Sequence, residues 1–308
     1  MMQENTRGEA LTFSVVIPTF NRPLRLRECL NGLAMQDFPQ TAFEVIVVDD
    51  GGAVRLDGLA DLSRSRLSIV VLRQENAGPA SARNLGARHA KGRFIAFIDD
   101  DCVPAGDWLR RLSENFGEGS DGLLCGGHVR NGLPENVYSA ASQILLEVVY
   151  VWQHHADAPR FFTTNNLAVS AQRFLKCGGL NPLFRISEDR EFCDRWVHKG
   201  GRLKYVPEAV VFHKHDLSFL AFVRQHFSYG GGGHRFYWLR AQRGWGRLRV
   251  DLRFYMRLLH VTVKGPYRRR LLTLGAVLMS QFANVCGYFW EKFFGSPVEK
   301  SELTSLDD

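Results

Sequence analysis

Six cysteines are scattered through 308 residues, none in a CxxC pair and none beside histidines at zinc-ligand spacing. This argues against a disulfide scaffold or a structural zinc site and leaves a reduced, cytosolic chain as the expectation. Met1 to Leu11 is polar and carries Glu4, Arg7 and Glu9, with no apolar core of the kind a secretory signal needs, so none is expected. No G-x-G-x-x-G opens a strand–helix unit, which disfavours a dinucleotide oxidoreductase. Gly230-Gly231-Gly232-Gly233 lacks the GK[ST] ending and the preceding buried strand of a phosphate loop, and reads as a hinge or a close backbone approach. With 45% hydrophobic and 23% charged residues, disorder and collagen-like repeats are excluded. The length suits one large domain, or one with an appendage.

Negative charge is almost missing from one stretch. Residues 224–270 hold twelve Lys and Arg against the single acid Asp251, while residues 1–223 balance at −1 and 271–308 at −3. A near-neutral body with one basic segment points to an anionic partner such as phospholipid, nucleic acid or a phosphorylated substrate.

The first hundred residues alternate two periods. Phe13–Pro18, Phe43–Val48, Leu67–Leu72 and Phe94–Ile98 are short continuous apolar runs, the pattern of parallel strands buried on both faces. Between the first two, Arg22–Gln36 places Leu26, Leu30 and Leu33 on one helical face. Helices between such strands make right-handed crossovers, so the body reads as an α/β sheet wrapped by helices. Ligands bind such sheets beyond the carboxyl ends of the strands. Those ends carry Pro18-Thr19, Asp49-Asp50 and Asp99-Asp100-Asp101.

Three consecutive acids repel one another unless solvent or a cation relieves them. On an extended backbone Asp99 and Asp101 would point the same way and form half a cage for Mg²⁺ or Mn²⁺, completed by water and diphosphate oxygens. A ribose hydroxyl is the other ligand such a carboxylate takes. Asn76 to Gly86 holds a Gly78-Pro79 turn, a helix start at Pro79 and Arg83 one turn in, which is an anion site or an ordinary surface arginine. Glu188 and Asp189 open a helix over Glu191–Lys199. They are either acids favoured by the helix dipole or, with Glu188 capping amides, a pair that leaves Asp189 facing a cleft as a base.

In this order, Val16 to Arg22, Val48-Asp49-Asp50-Gly51, Asn76-Ala77-Gly78 through Ala82-Arg83-Asn84, and Phe97 to Asp101 resemble a family 2 glycosyltransferase of GT-A fold. Thr164-Asn165-Asn166, Gly178-Gly179-Leu180, Ser187-Glu188-Asp189 and Arg195 resemble that family's acceptor half, and the likeness covers about residues 13–230. The resemblance implies an inverting transfer from a nucleoside-diphosphate sugar, expected to be UDP-linked, to a glycan or lipid-linked acceptor. It places Pro18, Thr19 and Asp50 at the base, Gly78, Arg83 and Asp100 in the nucleotide-sugar site, Asp99 on the ribose and Asp101 on a divalent metal, Mn²⁺ or Mg²⁺. Asp189 becomes the catalytic base, with Asn166, Glu188 and Arg195 on the acceptor side. His213, after the run Ala209–Phe212, is either a further metal ligand or a sheet-edge histidine. His154-His155 reads as structural.

Residues 1–230 are thus expected to form the GT-A catalytic domain, and 231–308 a helical extension associated with a membrane. Arg249, Arg253, Arg257, His260 and Lys264 fall on one helical stripe, opposite an apolar face. Leu271 to Trp290 runs without a charge, flanked by Arg268-Arg269-Arg270. Three readings stay open: a span, a helix lying on anionic lipid, or a cap on the body. In the first two the enzyme sits peripheral to or anchored at the cytoplasmic face. Nucleic acid is disfavoured because the aromatics are not interleaved with the arginines. Two other functions are weighed. A sugar-nucleotide nucleotidyltransferase needs a glycine-rich loop after the first strand, and Pro18–Arg22 has no glycine. A non-catalytic nucleotide-sugar-binding module would not need Asp99, Asp101 and Asp189 together.

Overall fold

The computed structural model describes residues 11–54, 56, 67–154, 161–246, 248, 250–265 and 269–295, the side chains of 151–154 excepted. The principal elements are β1 (Phe13–Thr19), α1 (Pro23–Ala34), β2 (Phe43–Asp49), β3 (Ile69–Arg73), α2 (Pro79–His89), β4 (Phe94–Ile98), β5 (Cys102–Pro104) and α3 (Trp108–Ser113). There follow β6 (Leu123–Asn131), α4 (Val137–His154), β7 (Asn166–Ser170), α5 (Ala171–Lys176), α6 (Glu188–His198), β8 (Arg202–His213), α7 (Phe219–Gln242), α8 (Leu252–Lys264) and α9 (Arg270–Phe294).

The eight strands form one mixed sheet in the order β3-β2-β1-β4-β7-β6-β8-β5. β1 lies parallel to both β2 and β4, and β2 parallel to β3, while β7 is antiparallel to β4 and β6. Every residue of β1, β2 and β4 is buried, which is why these runs are continuously apolar rather than alternating. Within these runs, the acid Glu44 accepts from the Ser14 hydroxyl at 2.6 Å and the Lys91 amide at 2.7 Å, so its charge is solvated by the fold. Pairing of β1 with β4 stops at Val16↔Phe97, two residues before Pro18, which has no amide hydrogen to offer. The chain leaves β1 toward β2 on one side and returns to β4 on the other. The topological switch, where such sheets bind ligands, therefore lies between the ends of β1 and β4.

The chain divides into two compact units. The sheet unit comprises Met1–Val129, Phe162–Leu180 and Arg195–Val211; the helical unit comprises Arg130–Phe161, Asn181–Asp194 and Phe212–Asp308. The cut expected at residue 230 falls in the middle of α7, which runs unbroken through all four glycines. Those glycines are thus no hinge. Their close backbone approach is real: a Cβ on Gly230 would lie 2.0 Å from the Asn284 carbonyl oxygen, and one on Gly287 would lie 1.8 Å from that of Phe227. α7 and α9 cross backbone against backbone because both lack side chains there. Behind them Ala141, Ile144, Val148, Phe222, Leu258, Ala276 and Val277 form the core of the helical unit.

Candidate active site

In the sheet unit the carboxylates cluster around the ends of β1, β2 and β4, each engaged by donors far away in sequence. Beyond β2, Asp50 is a fastener. Its Oδ1 accepts from the Gln74 amide side chain (2.7 Å) and the Ala77 N–H (2.9 Å), its Oδ2 from the Gly78 N–H (2.9 Å). Asp50 thereby shapes the turn that sets Gly78 at φ +90° and starts α2 at Pro79. Asp49 does the same for its own loop, accepting from the Gly52 N–H at 2.8 Å and pairing with Arg73 at 3.1 Å. Asn21, at φ +56°, accepts from the Ala53 N–H at 2.7 Å. The loops after β1, β2 and β3 are therefore tied to one another.

The acid triplet departs from the expected geometry. β4 ends at Ile98, and residues 99–101 make a turn closed by the Cys102 N–H on the Asp99 carbonyl at 3.1 Å. Side chains do not alternate across a turn, so the three carboxylates fan out instead of pairing on one face. Asp99 meets Arg83, a buried guanidinium from the first turns of α2, at 2.5 Å. Asp100 turns inward, accepting from the Thr19 hydroxyl at 2.7 Å and from Arg22 at 3.3 Å. Burial pushes its carboxyl up to about 6, against the pull of Thr19 and Arg22. Asp101 accepts from the same Arg22 nitrogen at 3.1 Å, and its side chain keeps 12% of its surface open. Arg22 itself remains 57% exposed. Asp99 and Asp101 thus present oxygens to solvent while Asp100 holds the floor. The neighbouring Cys102 is held as a neutral thiol, since burial and the nearby carboxylates push it well above its ordinary value. The open donors are therefore carboxylate oxygens, the type that fits Mg²⁺ or Mn²⁺ rather than a thiophilic ion. Arg22, which holds both Asp100 and Asp101, has no assigned role in the sequence reading; the only signal for it is its place after Pro18-Thr19.

Two residues expected on the acceptor side are already spent. Asn166 is buried in β7; its amide nitrogen donates to the carbonyls of His128 (3.0 Å) and Ala209 (2.8 Å), and its oxygen accepts from the Trp108 indole at 2.8 Å. It links β6, β7, β8 and α3 and has no donor left for a substrate. Arg195, also buried, donates to the carbonyls of Cys177 and Gly179, clamping the left-handed pair Gly178 (φ +93°) and Gly179 (φ +66°). In an apolar interior an arginine is retained where it satisfies carbonyls that a tight loop orphans. Asn84 completes that loop through a reciprocal pair with the backbone of Leu180, at 2.7 and 2.9 Å.

In the helical unit, Glu188 and Asp189 open α6 directly after Ser187, which sits at φ +73°. Asp189 Oδ1 accepts from the Arg190 N–H at 2.7 Å. Glu188 is buried. The next acids of this helix are held by the end of α7: the buried Glu191 pairs with Arg243 at 2.8 Å, and Asp194 pairs with Arg240 at 3.1 Å. Arg190 lays its guanidinium over the Phe161 ring at 4.7 Å. α6 is thus anchored by ion pairs on one side and a cation–π contact on another. His213 is the last residue of β8, the strand next to β5 in the sheet, and its ring stacks on His215 at 4.6 Å. His155, Arg249 and Arg268, and the side chain of His154, lie outside the described residues.

The model of the family "Glycosyl transferase family 2" matches residues 14–186, more than half of the chain. Among curated proteins, the chain is 35% identical over 127 residues to the glycosyltransferase AglE of Haloferax volcanii, covering 39% of this chain and 40% of that protein. It is 29% identical over 224 residues to a pre-mycofactocin glycosyltransferase of Mycobacterium tuberculosis, covering 71% of this chain and 46% of the relative. It therefore spans less than half the length of these relatives. Among solved structures, the mannosyltransferase PcManGT from Pyrobaculum calidifontis, in complex with GDP-Man and Mn²⁺, superposes with a TM-score of 0.59 at 18% identity, covering 95% of this chain and 78% of that one. Residues 1–349 of Staphylococcus aureus TarS, in complex with UDP-GlcNAc, superpose with a TM-score of 0.55 at 17% identity, covering 92% and 91%. At those identities the two structures show a shared GT-A-like fold.

Proposed function

The chain belongs to glycosyltransferase family 2, and from that premise we propose that it is an inverting enzyme carrying a sugar from a nucleoside-diphosphate donor, UDP-linked, to a hydroxyl of a glycan or lipid-linked acceptor. The observation that carries the reading is the cluster at the switch point: Asp99 on Arg83, Asp100 on Thr19, and Asp101 held open by Arg22. Pro18, Thr19 and Gly78 would border the nucleotide, Asp50 would keep that border in shape, and Asp99 would take the ribose. Asp101 with His213 would hold Mn²⁺ or Mg²⁺, since carboxylate oxygen and imidazole are donors Mn²⁺ accepts readily. Such an ion supplies neutralisation of the charge that develops on the leaving diphosphate. Arg83 adds fixed positive charge beside Asp99. Asp189 would take the proton from the acceptor hydroxyl as that oxygen attacks the anomeric carbon from the face opposite the diphosphate. A single displacement of this kind turns an α-linked donor into a β-glycoside. Asn166 and Arg195 support the site through the backbone.

Two structural neighbours favour the donor class: one holds GDP-Man with Mn²⁺ and another UDP-GlcNAc. With this activity we propose a location, peripheral or anchored at the cytoplasmic face of an anionic membrane. The test is a donor-hydrolysis screen across nucleotide sugars with Mn²⁺, Mg²⁺ or chelator, followed by NMR of the product anomer. Cation-dependent release of nucleoside diphosphate and a β-product are expected. An α-product would remove the single-displacement mechanism, and undiminished turnover in chelator would remove the cation.

A further inference from the structure

In α9 the usual helix pattern is reversed. The residues it buries are small or polar: Thr273, Ala276, Val277, Ser280, Ala283 and Gly287. The residues it leaves in solvent are large and apolar: Leu271, Leu272, Leu278, Phe282, Val285, Phe289, Trp290, Phe293 and Phe294 are each between 47% and 86% exposed. They recur at helical spacing, so they form one stripe along about 37 Å of helix. α8 repeats the arrangement, burying Leu258 and Thr262 and exposing Leu252, Tyr255, Met256, Leu259 and Val263. A helix in water turns its apolar stripe to the core. Two consecutive helices that turn it outward are matched to an apolar medium.

α9 is also long and apolar enough to cross a bilayer by composition, but its packing excludes that. It lies beside α7 along most of its length: Phe222 packs in one core with Ala276 and Val277, Gly230 meets Asn284, and Arg235 pairs with Glu291 at 2.7 Å. A spanning α9 would carry α7 into the hydrocarbon, with Arg224, His226, His234, Arg235 and Arg240 at successive depths. We infer that α8 and α9 attach the protein by lying in the plane of a bilayer interface, their outward stripes among the acyl chains and the basic residues of the 224–270 segment against anionic headgroups. The inference rests on the membrane location proposed above. Of the segment's +11 balance, Arg235, Arg240 and Arg243 are paired with Glu291, Asp194 and Glu191, and the remaining basic residues supply the charge complementarity; Trp290 belongs to the residues that favour the headgroup boundary.

The test uses the full chain and sealed vesicles of phosphatidylcholine with or without phosphatidylglycerol. The double variant Phe282→Ser with Phe293→Ser should keep its circular dichroism and melting temperature, since both rings stand in solvent, yet lose vesicle partition by roughly tenfold or more. Arg270→Cys and Lys292→Cys, exposed charged positions outside the apolar stripe at the two ends of α9, each in a Cys286→Ser background, should both react with an impermeant maleimide added outside. Labelling at one end only means a span and overturns the in-plane inference while the membrane location stands. Equal partition of the double variant overturns the role of the stripe. No partition of the parent chain overturns the location and the inference with it; if the parent is then a dimer that the double variant converts to monomer, the stripe belongs to a second copy of this chain.

Discussion

The two units treat water in opposite ways. In the sheet unit, β1, β2 and β4 bury every residue, and polar groups are gathered at one edge, where Thr19, Arg22 and Arg83 are bound to the acid triplet. In the helical unit, α9 buries Thr273, Ser280 and Gly287 and shows its phenylalanines to solvent. The contrast separates two sources of order. The sheet's charges are fixed by partners tens of residues away, so each carboxylate has a stated duty before any substrate arrives. The helices are fixed by backbone proximity at Gly230 and Gly287, which leaves their apolar side chains free for something outside the chain.

Changes at the sites test the comparison most sharply. Asp189→Asn should lower transfer by ~10²–10⁴-fold, the scale of general-base removal, while calorimetric donor affinity stays. Equally lost donor affinity would move Asp189 into the nucleotide site. Asp101→Asn should cost ~10²–10³ in turnover, as for loss of one group that stabilises developing charge, and should weaken donor binding as well. Retained donor binding would take Asp101 out of the donor site.

The helical unit should be the acid-sensitive one. His226 is buried among Ser142, Tyr229, Asn284 and Phe222, and burial lowers it to about 4. Its native value lies below its ordinary one, so the unfolded chain binds the extra proton first. Stability is full above pH 6.5 and falls as the pH drops toward 4, by about 3 kcal/mol at most. Melting curves of the parent and of His226→Gln between pH 7 and pH 4.5 should converge at the acid end; parallel curves would show that His226 does not set the acid loss.

Gly287→Ala places a methyl on the Phe227 carbonyl and should destabilise the helical unit by about 1–3 kcal/mol, read by chemical denaturation. An unchanged midpoint would mean that the α7–α9 crossing relaxes easily. The smallest effect expected is that of Arg257→Gln, about fivefold in partition onto anionic vesicles at low salt and none at high salt. A loss that persists at high salt would show that Arg257 acts by packing rather than charge.

Much of this was legible along the chain. The strands β1, β2, β3 and β4, the helix start at Pro79 and the converging strand ends follow from apolar runs and turn residues, because burial on both faces and the backbone demands of proline and glycine are local properties. The strands β5, β6 and β7 are not legible in the sequence, since β5 is three residues long, β6 is interrupted by Gly126-Gly127 and β7 begins at the polar Asn166, and their pairing is decided by partners far away. The same holds for side-chain duties. The types Asp, Asn and Arg at motif positions announced a polar site, and only the fold assigned Asp50 to the Gly78 turn, Asn166 to three neighbouring elements and Arg195 to the glycine loop. An alternating pattern foretold carboxylates 99 and 101 on one face, and the turn after Ile98 removed that pattern. In α9 the composition fixed an apolar helix of spanning length. Which stripe faces inward depended on whether Gly230 and Gly287 could bring two backbones together, and that is a matter of contact between distant segments, which no single stretch of sequence contains.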